Sequence, residues 1–137
     1  SAVNIQPWHF IVVKNKATLQ KIAEITPNAR MAKEAPLAIV VCGDMRNESN
    51  DLVREFWVQD ASAATQNILL AAHAMELGAV WTGTYPAQNR CEAISQLLNL
   101  PSSIIPFSTI VIGYPKETQQ PKDKWKEENI SYEVFGE

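Results

Sequence analysis

Apolar positions along this chain follow two different periods. Short, dense runs of β-branched and apolar residues predict strands. "HFIVVKN" is such a run closed by a polar turn, and "PLAIVVCGD" is apolar almost throughout, as expected of a central strand covered on both faces. "AVWTGTYP" gives a brief strand and a Gly-containing turn, and "PFSTIVIGYPKE" a further apolar strand. Between these runs the spacing changes to three and four residues. In "ATLQKIAEI", Leu19, Ile22, Ala23 and Ile25 share one helical face. "TPNARMAKEA" continues helically, with Thr26 as N-cap and Pro27 in the first turn, where its missing N–H does no harm. "AQNRCEAISQLLNL" is an amphipathic helix stopped by Pro101.

The longest element is "DLVREFWVQDASAATQNILLAAHAMELG", a helix predicted from Asp51 to a C-cap at Gly78. Ala61, Ala64, Ile68, Ala71, Ala72 and Met75 recur along it, and the opposite face carries Ala63 and Leu70 rather than charge. A helix apolar on most sides needs partners on most sides, and the pattern predicts a second subunit as the supplier. From Lys116 onward the chain turns polar, carries Pro121, and ends near Tyr132 and Phe135; residues 115–137 read as an extended arm on one domain spanning 1–137. Strands alternate with helices through connections of varied length. The predicted class is α+β, with helices around a mixed sheet.

Composition narrows the function. At 137 residues the chain suits one domain, and 46% hydrophobic residues exclude disorder. A net charge of −3 offers no basic field for a nucleic-acid backbone. Cys42 and Cys91 stand far apart without a Cys/His cluster, so neither a zinc site nor a disulfide framework is expected. No run approaches the ~20 apolar residues of a membrane span, and the N-terminus shows no signal-peptide pattern. The expectation is a soluble, cytoplasmic protein that binds neither nucleic acid, membrane nor metal.

Its candidate chemistry is unusual for lacking a nucleophile. His9 and His73 have no Ser, Cys or Asp beside them in a catalytic motif, and the Glu127/Glu128 pair lies in the charged tail. Side chains of this kind leave difficult chemistry to a cofactor. There is no GxGxxG and no Walker loop. The chain offers amides instead, at Asn4, Gln6 and Asn28, together with the turn "WTGT". Each primary amide both donates and accepts, which suits the alternating acceptor, N–H, acceptor edge of a flavin pyrimidine. Pro7 is expected to push Gln6 into an extended conformation, and Gly83 to remove a Cβ where a flat ring comes close. Taken by themselves, these residues equally suit Asx turns and a tight strand entry.

"SAVNIQPWHFIVV" resembles the signature segment of the FMN-dependent nitroreductase family, in which Pro-Ser-Ala/Ser-x-Asn-x-Gln-Pro-Trp-x-Phe leads into a strand. "PNARMAKEAPLAIVVC", "WVQDASAATQNILLAAHAMELGAVWTGTYP" and "PFSTIVIGYPKE…PKDKW" are similar to further segments of the family, in the same order, so the likeness covers nearly the whole chain. It implies a mainly antiparallel sheet with a long central dimer helix. It also implies an oxidoreductase in which FMN passes a hydride from NADH or NADPH to an electron-poor small molecule: a nitroaromatic, quinone or activated alkene. Kinetics would be ping-pong, with flavin N5 rather than a catalytic side chain carrying the chemistry. The alternatives are a flavin-binding or structural protein with little turnover, and a different flavin reaction such as dehalogenation or flavin degradation.

The same resemblance implies roles for particular residues. Ser1, Ala2 and Asn4, with Gln6, would line the isoalloxazine from one subunit of a homodimer, and Asn28 would reach it from the other. Thr82 and Gly83 would present backbone N–H groups near N5, and Lys122 and Lys124 would hold the phosphate. Two cations on alternate residues of an extended segment point the same way and can clamp a dianion; the competing role is solubility of a charged tail. Two departures stand out. The Arg-rich helix that precedes this segment in family members is not in the sequence, which predicts a truncated or short member with a looser hold on FMN. Met31 stands where some members place a cation.

Overall fold

Three layers organise the chain, and the sheet in the middle explains the other two. The computed structural model describes residues 1–136. Among the described residues four strands form one sheet: β1 (Trp8–Val13), β2 (Leu37–Asp44), β3 (Gly78–Gly83) and β4 (Ile104–Gly113), in the order β1-β2-β4-β3. All three ladders are antiparallel, so the mixed character expected of the sheet reduces to its antiparallel part. The apolar runs at β2 and β4 are central strands, β4 buried along almost its whole length and β2 along most of it. Period two splits their side chains between two cores: Val40 faces one cluster and Val41 the other.

One face of the sheet is covered by α1 (Lys16–Ile25), the 3₁₀ segment Pro27–Lys33 and α3 (Gln88–Leu98). Leu19, Ile22, Ala29, Ala32 and Ile94 bury themselves there against Ala38, Val40 and Val111. Full burial of side chains such as Ile22 contributes about 1.5–3 kcal/mol each. The other face is covered by α2 (Asp51–Ala74), which buries Val53, Trp57 and Ala61 against Val41, Phe107 and Ile110. Asn15 caps α1 by accepting the Thr18 N–H at 3.1 Å, and Asn50 caps α2 by accepting the Leu52 N–H at 2.9 Å.

Two local expectations are corrected. Segment Pro27–Lys33 is 3₁₀ rather than α, and the Thr26 hydroxyl caps nothing; it is buried without a partner, while the Thr26 carbonyl accepts the Ala29 N–H. Helix α2 does not run to a Gly78 cap. Glu76 takes the left-handed position (φ 60°) and the Leu77 N–H returns to the Ala72 carbonyl at 2.9 Å, so Gly78 is free to open β3. Helix α2 keeps an open side within one chain: Leu70 is 58% exposed and Met75 69%, and Ala63 and Ala71 also face outward. One sheet can cover only one side of a helix.

A bulge interrupts the centre of the sheet. Val41 pairs with Ser108 but Cys42 pairs with Pro106, leaving Phe107 unmatched. Pro106 has no N–H to give a central ladder, so the irregularity falls where the sequence demands it. The freed Phe107 carbonyl accepts the N–H groups of both Thr84 and Tyr85, at 3.1 and 3.0 Å, which turns the chain sharply after β3.

Candidate flavin site

The start of β1, the end of β2, the start of β4 and the end of β3 lie together at one end of the sheet. The loop Ser1–Gln6 enters at this end. Its backbone is contorted: Val3, Asn4 and Gln6 take φ of 42°, 59° and 57°, a region that non-glycine residues seldom occupy. Gln6 is therefore not extended, contrary to the expectation from Pro7. Local hydrogen bonds outweigh the proline effect. The Gln6 N–H donates to Ser1 Oγ at 2.9 Å, its side-chain amide donates to Asn4 Oδ1 at 2.8 Å, and its carbonyl accepts the Trp8 N–H at 2.8 Å across Pro7.

Two longer bonds moor the loop to the body. The Asp44 N–H donates to the Pro7 carbonyl at 3.0 Å, and the Ala2 N–H donates to Asp60 Oδ1 on α2 at 3.0 Å. Ile5 packs inward against the α2 cluster. Beside the loop, a cleft of about 330 Å³ is lined by Ser1, Trp8, Phe10, Ala63, Ala64, Asn67 and Ile68, which joins the amide loop to the open side of α2. Larger clefts, of about 380 and 570 Å³, lie around Gly78 at the other end of β3 and include none of the predicted site residues.

At the far edge of the same end stands Gly83, in register with Ser108. No atom lies within 4 Å of where a Cβ on Gly83 would stand, so this face is open to a flat group. Thr82 is buried and its hydroxyl donates to the Thr109 carbonyl at 2.7 Å, leaving its backbone for any ligand role. Arg90 donates to the Gly83 carbonyl at 3.2 Å. Because β3 is an edge strand, its outward N–H groups are not consumed by a neighbouring strand.

Helix α2 connects the two halves of this end. Asp60 holds the loop, and little more than one turn on Thr65 Oγ1 meets Ser108 Oγ at 2.9 Å, beside Gly83. Trp57, one turn before Asp60, stacks edge-on against Tyr85 with ring centroids 4.8 Å apart. The loop and Gly83 are nonetheless separated by two strands, about 14 Å at ordinary inter-strand spacing, and do not touch.

The remaining predicted residues lie elsewhere. Asn28 is exposed on the 3₁₀ segment in the opposite layer from the loop. Lys122 and Lys124 are exposed on the stretch after Tyr114, without an ion pair among the described residues. Met31 is 46% exposed. One chain thus brings Ser1, Ala2, Asn4 and Gln6 together, sets Thr82 and Gly83 at the same end, and leaves Asn28 and the two lysines apart.

Sequence reasoning missed Asp60, Trp57 and Tyr85. The signal for the first two was periodicity: Asp60 stands in the stripe Val53, Trp57, Asp60, Ala61, Thr65 that α2 buries. A carboxylate in an apolar stripe is the informative exception. Both cysteines are free thiols; burial pushes Cys42 up to about 12 and also raises Cys91. Among the described residues no helix is long and apolar enough to cross a membrane.

A model of the Nitroreductase family matches residues 26–114. The chain belongs to the Nitroreductase family. A protein of Methanothermobacter thermautotrophicus provisionally named NADH dehydrogenase/NAD(P)H nitroreductase is 50% identical over 98% of this chain and 69% of its own length. A Bacteroides thetaiotaomicron structure of the same provisional name superposes with a TM-score of 0.90 at 42% identity, over 98% of this chain and 77% of that one. The FMN-dependent nitroreductase of Clostridium difficile gives a TM-score of 0.86 at 28% identity, covering 98% and 80%. For a member of this family, the antiparallel sheet and long α2 are the expected frame.

Proposed function

We propose that this member of the Nitroreductase family is an NAD(P)H-dependent flavin oxidoreductase that holds FMN at the sheet end bordered by the Ser1–Gln6 loop and Gly83. The observation that carries the proposal is the pairing of a tightly bonded amide loop with an open glycine face at one end of one sheet. The names of the similar Methanothermobacter and Clostridium proteins supply the nucleotide and the flavin. When bound, FMN would supply the hydride chemistry between NADH or NADPH and an electron-poor acceptor such as a nitroaromatic, quinone or activated alkene.

The protein's part is to bind and orient. Asn4 and Gln6, locked to each other, offer a fixed set of donors and acceptors to the pyrimidine edge. Preorganised donors of this kind stabilise developing negative charge without reorganising during the reaction. Backbone N–H groups at Thr82 and Gly83 would serve the reactive edge, and Lys122 and Lys124 the phosphate. Asn28 would have to come from a second copy of the chain, because its own fold sets it in the opposite layer. The exposed Leu70–Met75 side of α2 offers a surface for such a homodimer. Free Cys42 and Cys91 suit a cytoplasmic protein.

The test is a visible absorption spectrum of the purified protein, followed by anaerobic addition of NADH and then NADPH. A flavin band that bleaches with either nucleotide is expected, with parallel double-reciprocal lines once an acceptor is supplied. A band that neither nucleotide bleaches would reduce the protein to a flavin binder. Bleaching without reduction of any nitroaromatic or quinone would point to a different flavin reaction on the same scaffold.

A further inference from the structure

Asp60 is the one charged side chain that α2 buries, at 6% exposure, and its position is costly. It lies in the helix interior, away from the N-terminal partial charge that favours carboxylates. It makes no ion pair among the described residues. Its Oδ1 accepts the Ala2 N–H at 3.0 Å, while Oδ2 is buried with no hydrogen-bond partner at all. A neutral residue would serve α2 better, so the group is explained by what it holds.

What it holds is strained. Val3 is β-branched and takes φ of 42°, with Asn4 and Gln6 also in the left-handed region. Such backbones persist only where surrounding contacts over-determine them. Within the loop, the Ile5 N–H to Ala2 carbonyl bond at 3.1 Å and the Gln6 N–H to Ser1 Oγ bond at 2.9 Å close the turn on itself. Only the Asp60 bond ties the first residues of that turn to the helix layer.

We propose that Asp60 is a positioning residue: through the Ala2 N–H it fixes the left-handed turn that presents Asn4 and Gln6, and so sets the affinity for FMN. The inference rests on the flavin reading of this loop, but its structural half can be measured without flavin. Amide hydrogen exchange at Ile5 and Gln6, followed by NMR on the apoprotein, reads the turn. FMN titration of the same samples reads affinity.

In Asp60→Ala, exchange at Ile5 and Gln6 should rise at least tenfold while Val40 and Ile110 amides keep their protection, and the FMN Kd should rise at least tenfold. Asp60→Asn keeps an acceptor for Ala2 and should fall between Asp60→Ala and wild type. Unchanged exchange at Ile5 and Gln6, or a Kd within twofold of wild type, overturns the proposal. If Asp60→Ala does not fold, Ala2→Pro deletes the donor and leaves α2 intact: faster exchange at Ile5 and Gln6 alone supports the role, and unchanged exchange overturns it. A wild-type protein that takes up no FMN defeats the proposed function, and the exchange data then decide the role of Asp60 by themselves.

Discussion

Gly43 of β2 and Trp57 of α2 meet so closely that no side chain fits between them. A Cβ on Gly43 would collide with Trp57 Cε3 and lie 2.7 Å from Cζ3. The absent methyl lets the indole's six-membered ring approach the strand closely, and the same indole meets Tyr85 and Phe107 edge-on. The helix that carries Asp60 and Thr65 is seated by this contact. Gly43→Ala should therefore destabilise the fold by about 1–3 kcal/mol through overpacking, seen as a thermal midpoint lower by several degrees. An unchanged midpoint would show that α2 yields without strain.

The hydroxyl pair Thr65–Ser108 is buried at 2.9 Å, and Thr65 also donates to the Ala61 carbonyl at 2.8 Å. Thr65→Val should cost about 1–3 kcal/mol, because it leaves the Ser108 hydroxyl buried and unsatisfied. Ser108→Ala should cost less, because Thr65 keeps its bond to the Ala61 carbonyl. The double variant should cost less than the sum of the singles. Additive costs in denaturant unfolding would mean that the two hydroxyls do not depend on each other.

Arg46 donates from Nε to both oxygens of Asp44, at 2.9 and 3.0 Å, and this bonding holds the Asp44 carboxyl below its ordinary range. A lowered folded value means stability that is fully present above the unfolded carboxyl pKa, about 3.9, and is lost as pH falls through the folded value. Wild type should lose this increment only in strongly acid solution, and Asp44→Asn should lack that part of the pH dependence. Identical acid unfolding curves for the two proteins would show that the exposed pair contributes nothing.

Burial pushes the Cys42 thiol up to about 12, so at pH 8 it carries almost no thiolate. An aromatic disulfide reagent should leave Cys42 untouched in the native protein and label it promptly in denaturant. Rapid native labelling of Cys42 would reveal local opening of β2.

Assembly is checked through α2. Ala64 lines the cleft beside the amide loop and Ala71 faces outward from the single chain. Replacing either with Leu should shift the protein towards monomer in sedimentation and lower its flavin content together. Retention of both properties would remove this side of α2 from the proposed interface.

Much of the frame was legible before any coordinates. Dense apolar runs marked β2 and β4 as central strands because a strand covered on both faces has no polar side to show. Three- and four-residue spacing marked α1, α2 and α3. The amide loop was legible as a motif, Asn4-x-Gln6-Pro7-Trp8, although its backbone was not. Nearest-neighbour preference for Pro7 argued for an extended Gln6, whereas the folded loop spends that preference on bonds to Ser1, Asn4 and Trp8.

The order of elements, the two-sided burial of the central strands and the family were thus written in the chain itself. These follow from periodicity and local chemistry, which are properties of neighbours along the chain. Tertiary structure alone decided that Asp60 would hold Ala2, 58 residues away, that Trp57 would close on Gly43, and that Gly83 would open onto free space at the same sheet end as the amides. Those are contacts across layers, fixed by which face each strand and helix turns to the others, and no local pattern encodes them.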